Sequence, residues 1–189
     1  SQRHENIDIL INNAGGQFPQ KARDFSPNGW RSVIDLNLNG TWNMTQAFGN
    51  KMLEGDGGSI CQIIATVGRG IPGIAHSASA RAGVLELSKT LSFEWGPKVR
   101  VNCVAPGQFR TDAFDSTYED GVGDGFVEQP LPNIGDVADI ANGVIFLVSP
   151  AARFITGEVL HVDGGLILQG PMSALPVDGY PERKLSHGF

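Results

Sequence analysis

The chain holds 189 residues, 41% of them hydrophobic, which is enough to bury one sizeable core in one domain or part of one. Its 20 acidic residues outweigh 14 basic ones, and the net charge of -6 repels the phosphate backbone that nucleic-acid binders neutralise, which sets that class aside. No apolar run nears the ~20 residues that span a bilayer, and the polar start SQRHEN carries no signal-peptide core.

In chain order, IDILI (7–11) is a short run of Ile and Leu, read as a buried strand, and Asn12-Asn13-Ala14-Gly15 turns the chain after it. A helical spacing follows over about 27–53, with Asn37 inside it where Asn is a mediocre helix former. SICQIIA (59–65) and VRVNCVA (99–105) read as further buried strands around a helical stretch at about 75–96. Cys61 and Cys103 each fall within one of these strands and read as reduced core thiols. DVADIANGVIFLVS (136–149) opens on an acidic helix start, and EVLHVD (158–163) is the last strand. Strand and helix alternate, the pattern of a parallel sheet with helices on both faces.

Two stretches break the alternation. Residues 112–135 are rich in Asp and Gly, lack a period and exceed an ordinary connection, so the loop at about 108–135 reads as a lid, with Phe109, Phe114 and Phe126 as its apolar surface. The tail 169–189 carries three prolines and no apolar stripe. At the other end a strand comes almost at once, without the glycine-rich first turn that cradles a dinucleotide pyrophosphate, and the expectation is an N-terminally incomplete domain.

NNAG after a strand, Asn37 in the next helix, PGQFRT at 106–111 and HVDGG at 161–165 together resemble the short-chain dehydrogenase/reductase family over roughly residues 5–166. The resemblance implies an α/β, Rossmann-type doubly wound parallel sheet without its N-terminal strands and glycine-rich loop. Residues 1–168 would then be the C-terminal two-thirds of one dinucleotide-binding reductase domain. It implies NADP as cofactor, with NAD as the alternative, because the residue that chooses between them would lie in the absent portion. By the same resemblance Asn12, Ala14 and Gly15 line the adenosine side, Pro106, Gly107 and Thr111 hold the nicotinamide amide, and Asn37 holds a water of a proton relay.

The catalytic positions depart from the family. Its Tyr-x-x-x-Lys pair shares one helix face at i and i+4, whereas HSASARAG (76–83) puts Ser77 and Arg81 there. The chain's two tyrosines, Tyr118 and Tyr180, are elsewhere, and Ala65 stands where an upstream Ser is usual, with Thr66 the nearest hydroxyl. A serine hydroxyl is a far weaker acid than a phenol, and Arg keeps its proton. His76 could titrate near neutrality and act as the acid, or be a helix-start residue facing solvent.

NNAGGQF (12–18), GSICQII (58–64), HSASARAGVLELSKTLSFEWGP (76–97), RVNCVAPG (100–107) and SPAARFITGEVLHVDGG (149–165) resemble the branch of peroxisomal trans-2-enoyl-CoA reductases and their bacterial relatives. In that branch a Tyr four residues beyond the Arg serves as proton donor, and here that residue is Leu85. The resemblance implies reduction of the 2,3-double bond of an acyl-CoA thioester, in fatty acid metabolism. There an oxyanion donor matters most, and Ser77, Thr66 or a backbone N–H is the candidate. Two alternatives stay open: an alcohol or hydroxyacyl dehydrogenase of the same branch, or a catalytically impaired member acting as a binding or partner protein. No metal site is expected. Family members pair into dimers or tetramers through two long helices, and the stripe Val84, Leu87, Leu91, Trp95 is read as such an interface or as a core face. The ending SHGF is not an SKL-type signal, so the compartment stays open, cytoplasm by default with the peroxisome as the alternative.

Overall fold

Strands β1 (Ile9–Asn12), β2 (Gly58–Ile63), β3 (Val99–Pro106) and β4 (Val159–Val162) lie side by side in chain order, all parallel. This is a computed structural model, and it describes residues 6–66, 68, 70–109, 111, 129–131 and 134–168. Phe114, Phe126, most of the expected lid and the tail 169–189 lie outside the described residues.

Helices α1 (Pro27–Ile34), α2 (Gly40–Glu54), α3 (Ala75–Glu94) and α4 (Val137–Val148) fill the connections. Three of these helices, α1, α2 and α4, begin or end on a side chain that satisfies open backbone groups. Ser26 Oγ accepts the Gly29 N–H at 3.0 Å, ahead of Pro27 at the first turn. Asp136 and Asp139 accept from each other's end of the first turn of α4, at 2.8 and 2.9 Å, a reciprocal cap. Lys98 Nζ donates to Leu53 O and Gly55 O at the end of α2, and Arg100 Nη1 to Leu147 O at the end of α4, where cations meet the negative helix terminus.

The expected helix over 27–53 is interrupted. Residues Asp35–Asn39 form a π-helical turn, with the Gly40 N–H reaching back five residues to Asp35 O. The cause is Asn37: its side-chain Nδ2 donates to Val33 O at 2.8 Å, the carbonyl that an uninterrupted α-helix would give to the Asn37 backbone.

Alternate strand residues face opposite helical layers. Ile60, Val99 and Val101 pack with Met52 of α2 and Leu91 of α3, while Ile64, Cys103 and Ala105 meet Val84. Cys61 and Val104 point the other way, to Val144 and Leu147 of α4. Val84 and Leu91 are buried, and Leu87 and Trp95 pack on the Leu91 cluster, so the α3 stripe is a core face of this chain. The α2–α3 approach is close: a Cβ on Gly49 would collide with the Trp95 ring.

The strands advance in one direction while α4 lies on the face opposite α2 and α3. The β3–α4–β4 crossover therefore has the opposite hand to the first two, which is rare in parallel sheets. The long connection ahead of α4 makes that path available. Since α4 covers β2 to β4, the same face of β1 is left open, with Ile9 48% and Ile11 47% exposed.

Candidate active site

The strand carboxyl ends place the family-implied residues along one edge. At the end of β1, Asn12 turns its amide inward: Nδ2 donates to Thr45 Oγ1 at 2.9 Å and to Gln62 Oε1 at 2.8 Å, and Gln62 Nε2 donates to the same threonine oxygen at 2.9 Å. Asn12 thus ties β1 to β2 and α2. Gln62, fully buried, is a site-shaping residue that the reading of the sequence passed over, although a lone amide within SICQIIA was the available signal.

Ala14 and Gly15 are exposed beyond this tie, and Asn37 sits beneath them, 4% exposed. Its Oδ1 accepts the Gly16 N–H at 3.2 Å and its Nδ2 donates to Gly16 O at 2.7 Å, so one side chain grips both backbone groups of that residue. The π-helical turn aims the amide at the turn after β1.

Arg81 rises from α3 into the gap between β1 and β2. Nη1 donates to Ile63 O at 3.1 Å and Ile64 O at 2.8 Å, and Nε donates to Ser77 Oγ at 3.3 Å. Among the described residues no carboxylate pairs with it. Burial pushes its guanidinium below the ordinary arginine value, yet a guanidinium stays charged in proteins. Nη2 points at Gly15, where a Cβ would lie 2.9 Å from it and 2.7 Å from Asn37 Oδ1. Glycine there leaves a window onto a half-buried cation.

The other candidate hydroxyls and the histidine face elsewhere. Ser77 is fully buried beside Arg81. Thr66 Oγ1 lies 3.1 Å from Pro106 O and 3.4 Å from the buried Asp163 carboxylate, joining β2 to the β3 and β4 ends. Gly107 donates its N–H to Val162 O, and a Cβ there would press on the Asp163 backbone at 2.6 Å, so that crossing requires glycine. Thr111 lies beyond this crossing and is half-buried. His76, which one reading placed at the surface, is fully buried among Phe18, Phe25 and Trp30. Those aromatic residues had hydrophobic spacing but no sequence link to His76.

A family model described as Enoyl-(Acyl carrier protein) reductase matches residues 1–167. The 3-oxoacyl-[acyl-carrier-protein] reductase FabG of Chlamydia trachomatis is 38% identical over 165 residues, covering 86% of this chain and 66% of the relative. The chain belongs to the short-chain dehydrogenase/reductase family. The peroxisomal 2,4-dienoyl-CoA reductase of Danio rerio is also 38% identical, with 84% of this chain and 55% of that protein covered. Among solved structures, a gluconate 5-dehydrogenase of Burkholderia cenocepacia, in complex with NADP and tartrate, superposes with a TM-score of 0.84 at 31% identity, covering 89% of this chain and 68% of that one. The chain spans 66% and 55% of the length of these two curated relatives. The expected Rossmann-type parallel sheet is therefore present as a family fold. Among the described residues no helix is long and apolar enough to cross a membrane.

The short-chain dehydrogenase/reductase cofactor fits the donor set on this edge. The uncovered Gly15 backbone lets a ligand approach, and beneath it Arg81, without a carboxylate partner and with Nε and Nη1 engaged, turns Nη2 toward hydroxyl or anionic oxygens.

Proposed function

We propose that this protein is an NADP-dependent oxidoreductase that reduces the 2,3-double bond of trans-2-enoyl-CoA thioesters. The observation that carries the reading is Arg81: a half-buried cation with Nη1 and Nε engaged and Nη2 open at Gly15, standing where the family places a lysine beside a tyrosine. Arg81, Pro106, Gly107 and Thr111 would hold the nicotinamide half of the dinucleotide, with Ala14 and Gly15 toward its adenosine side, and the bound group would supply a hydride.

The thioester oxygen gathers negative charge as the β-carbon gains hydride and the double-bond electrons move toward the carbonyl. A fixed guanidinium stabilises that charge without reorganising. Arg81 Nη2, facing Gly15, would be the group to reach a ribose hydroxyl and the oxyanion. The α-carbon then takes its proton from water, since neither Arg81 nor the covered Ser77 delivers one. A ketone substrate would need a stronger acid at the alkoxide itself. Ser77 orients Arg81, Asn37 fixes Gly16 beneath the window, and Thr66 holds the β3 and β4 ends.

The dienoyl thioester named for the Danio rerio relative carries one more conjugated double bond, so it belongs in the same test. The reading includes self-association through α2 and α3, whose outer surfaces leave Met44 and Phe93 exposed. The deciding experiment is NADPH and NADH oxidation by the full-length protein with a trans-2-enoyl-CoA, a 2,4-dienoyl-CoA and a simple ketone. Turnover of the conjugated thioesters over the ketone is expected. Ketone turnover would favour the alcohol or hydroxyacyl dehydrogenase, and nucleotide binding without any turnover a catalytically impaired member.

A further inference from the structure

His76 has an arrangement that the reductase reading leaves unused. Its Nδ1 accepts the Ser77 N–H at 2.8 Å, which assigns the ring proton to Nε2. Nε2 is buried and has no hydrogen-bond partner. Three rings enclose the imidazole, with centroids 4.7 Å (Phe18), 4.4 Å (Phe25) and 6.5 Å (Trp30) away. The Phe18 and His76 rings meet at 86°, an edge-to-face packing.

This cluster joins two parts of the site. Phe18 and Phe25 belong to the segment that continues from Gly15 and Gly16, and Trp30 to α1; His76 begins α3, one residue before Ser77 and five before Arg81. One further bond spans the same gap, from the Gln20 N–H to Gly73 O at 2.8 Å.

We propose that His76 is a positioning residue: as a neutral imidazole it caps the Ser77 N–H and centres a three-ring clasp that holds segment 16–25 on the first turn of α3, and its protonation in mild acid opens the clasp. A proton on Nδ1 removes the acceptor for Ser77, and the imidazolium is left in apolar surroundings at a helix N-terminus, where a cation is unfavourable. The packed elements bring rings to it and no compensating charge. Lys21, Arg23 and Asp24 of the segment and Arg31 of α1 are exposed, and Arg81 on α3 is turned to the β2 carbonyls. Burial accordingly holds His76 below the ordinary imidazole value, outweighing the Ile74 carbonyl, which favours the protonated ring. The cage is one ring thick, with Phe18 37% and Trp30 38% exposed, so protons reach it by a small opening. The effect on catalysis rests on the Arg81 reading above; the clasp itself does not.

The sign follows from linkage. Above the ordinary imidazole range, near 6.5, neither the folded nor the unfolded chain holds this proton. As pH falls through that range the unfolded chain takes it first, so stability falls until the lowered folded value is reached.

The test is a pH 8 to 5 titration of the full-length protein. It follows the His76 ring nitrogens by 15N NMR and the Trp30 emission by difference with a Trp30→Phe variant. Expected are an Nε2–H tautomer at pH 8, a midpoint below the ordinary imidazole range, a Trp30 change at that same midpoint, and a roughly 10-fold weaker NADPH affinity below it. His76→Asn, whose amide oxygen can accept from Ser77 but whose side chain does not titrate, should abolish the Trp30 step; His76→Phe should keep the packing and lose the cap. An Nδ1–H tautomer, a midpoint at or above the ordinary imidazole range, or an unchanged step in His76→Asn would overturn the clasp. If either variant fails to fold, the wild-type tautomer and midpoint still decide. Loss of enoyl thioester turnover with the spectroscopic step intact would count against the reductase reading alone.

Discussion

Arg81 Nε donates to Ser77 Oγ over 3.3 Å, one helical turn apart on α3, so the hydroxyl serves the guanidinium and not the open face. The two variants should therefore differ in kind. Arg81→Ala removes the oxyanion charge and is expected to lower kcat with the enoyl thioester by about 100-fold or more. Ser77→Ala removes one hydrogen bond to a charged group and should cost about 10-fold, mostly in kcat. Steady-state kinetics on both check this, and equal losses would place Ser77 on the substrate.

Gly15→Ala should fill the window. Its methyl would lie 2.9 Å from Arg81 Nη2 and 2.7 Å from Asn37 Oδ1, closer than real Cβ contacts allow. NADPH affinity should fall at least 10-fold, on the order of 1.4 kcal/mol, while the urea midpoint moves little because Gly15 is exposed. Binding titration and denaturation on one preparation separate the two effects.

Much of this fold was legible because its strands are runs of Ile and Val cut off by Gly, Asn or Pro, and α1 and α4 carry caps at their starts. IDILI, SICQIIA, VRVNCVA and EVLHVD each became a strand within a few residues. The site was legible only as positions. Sequence placed Ser77 and Arg81 on one helix face, but nothing local could show that Ser77 is covered or that Thr66 turns to Asp163, ninety-seven residues away. The same holds for the His76 cage, whose rings come from segments joined only by folding. The amide that makes the π-helical turn also bonds Gly16 across the sheet edge, a long-range contact that helix propensity does not contain.

Asn37→Ala removes three hydrogen bonds at once, to Val33 O and to both backbone groups of Gly16. Leaving buried backbone groups unpaired costs about 1–3 kcal/mol each when water cannot replace the bond. Gly16 is half-buried and recovers part of that through solvent, so a loss of about 2 kcal/mol in urea unfolding is expected. Asn37→Asp should be no rescue, since a carboxylate accepts from Gly16 but cannot donate to Gly16 O or Val33 O.

The two thiols give an alkaline counterpart to the His76 effect. Burial is the main cause that raises Cys61 to about 12, with the nearby Cys103 adding to it. Burial likewise raises Cys103 to about 11, against the opposing bond from its Sγ to Ser88 Oγ at 3.3 Å. Both stay protonated in the fold while an unfolded chain ionises them from about 8.5 upward. The folded state then holds more protons, so stability should decline as pH rises from about 9 toward 11. Urea midpoints at pH 8 and pH 10 should differ in that direction, and the difference should shrink in Cys103→Ala. Because the reactive species is the thiolate, modification by a thiol reagent at pH 8 should run at the rate of unfolding. Labelling of either cysteine faster than global unfolding would show that its strand opens locally.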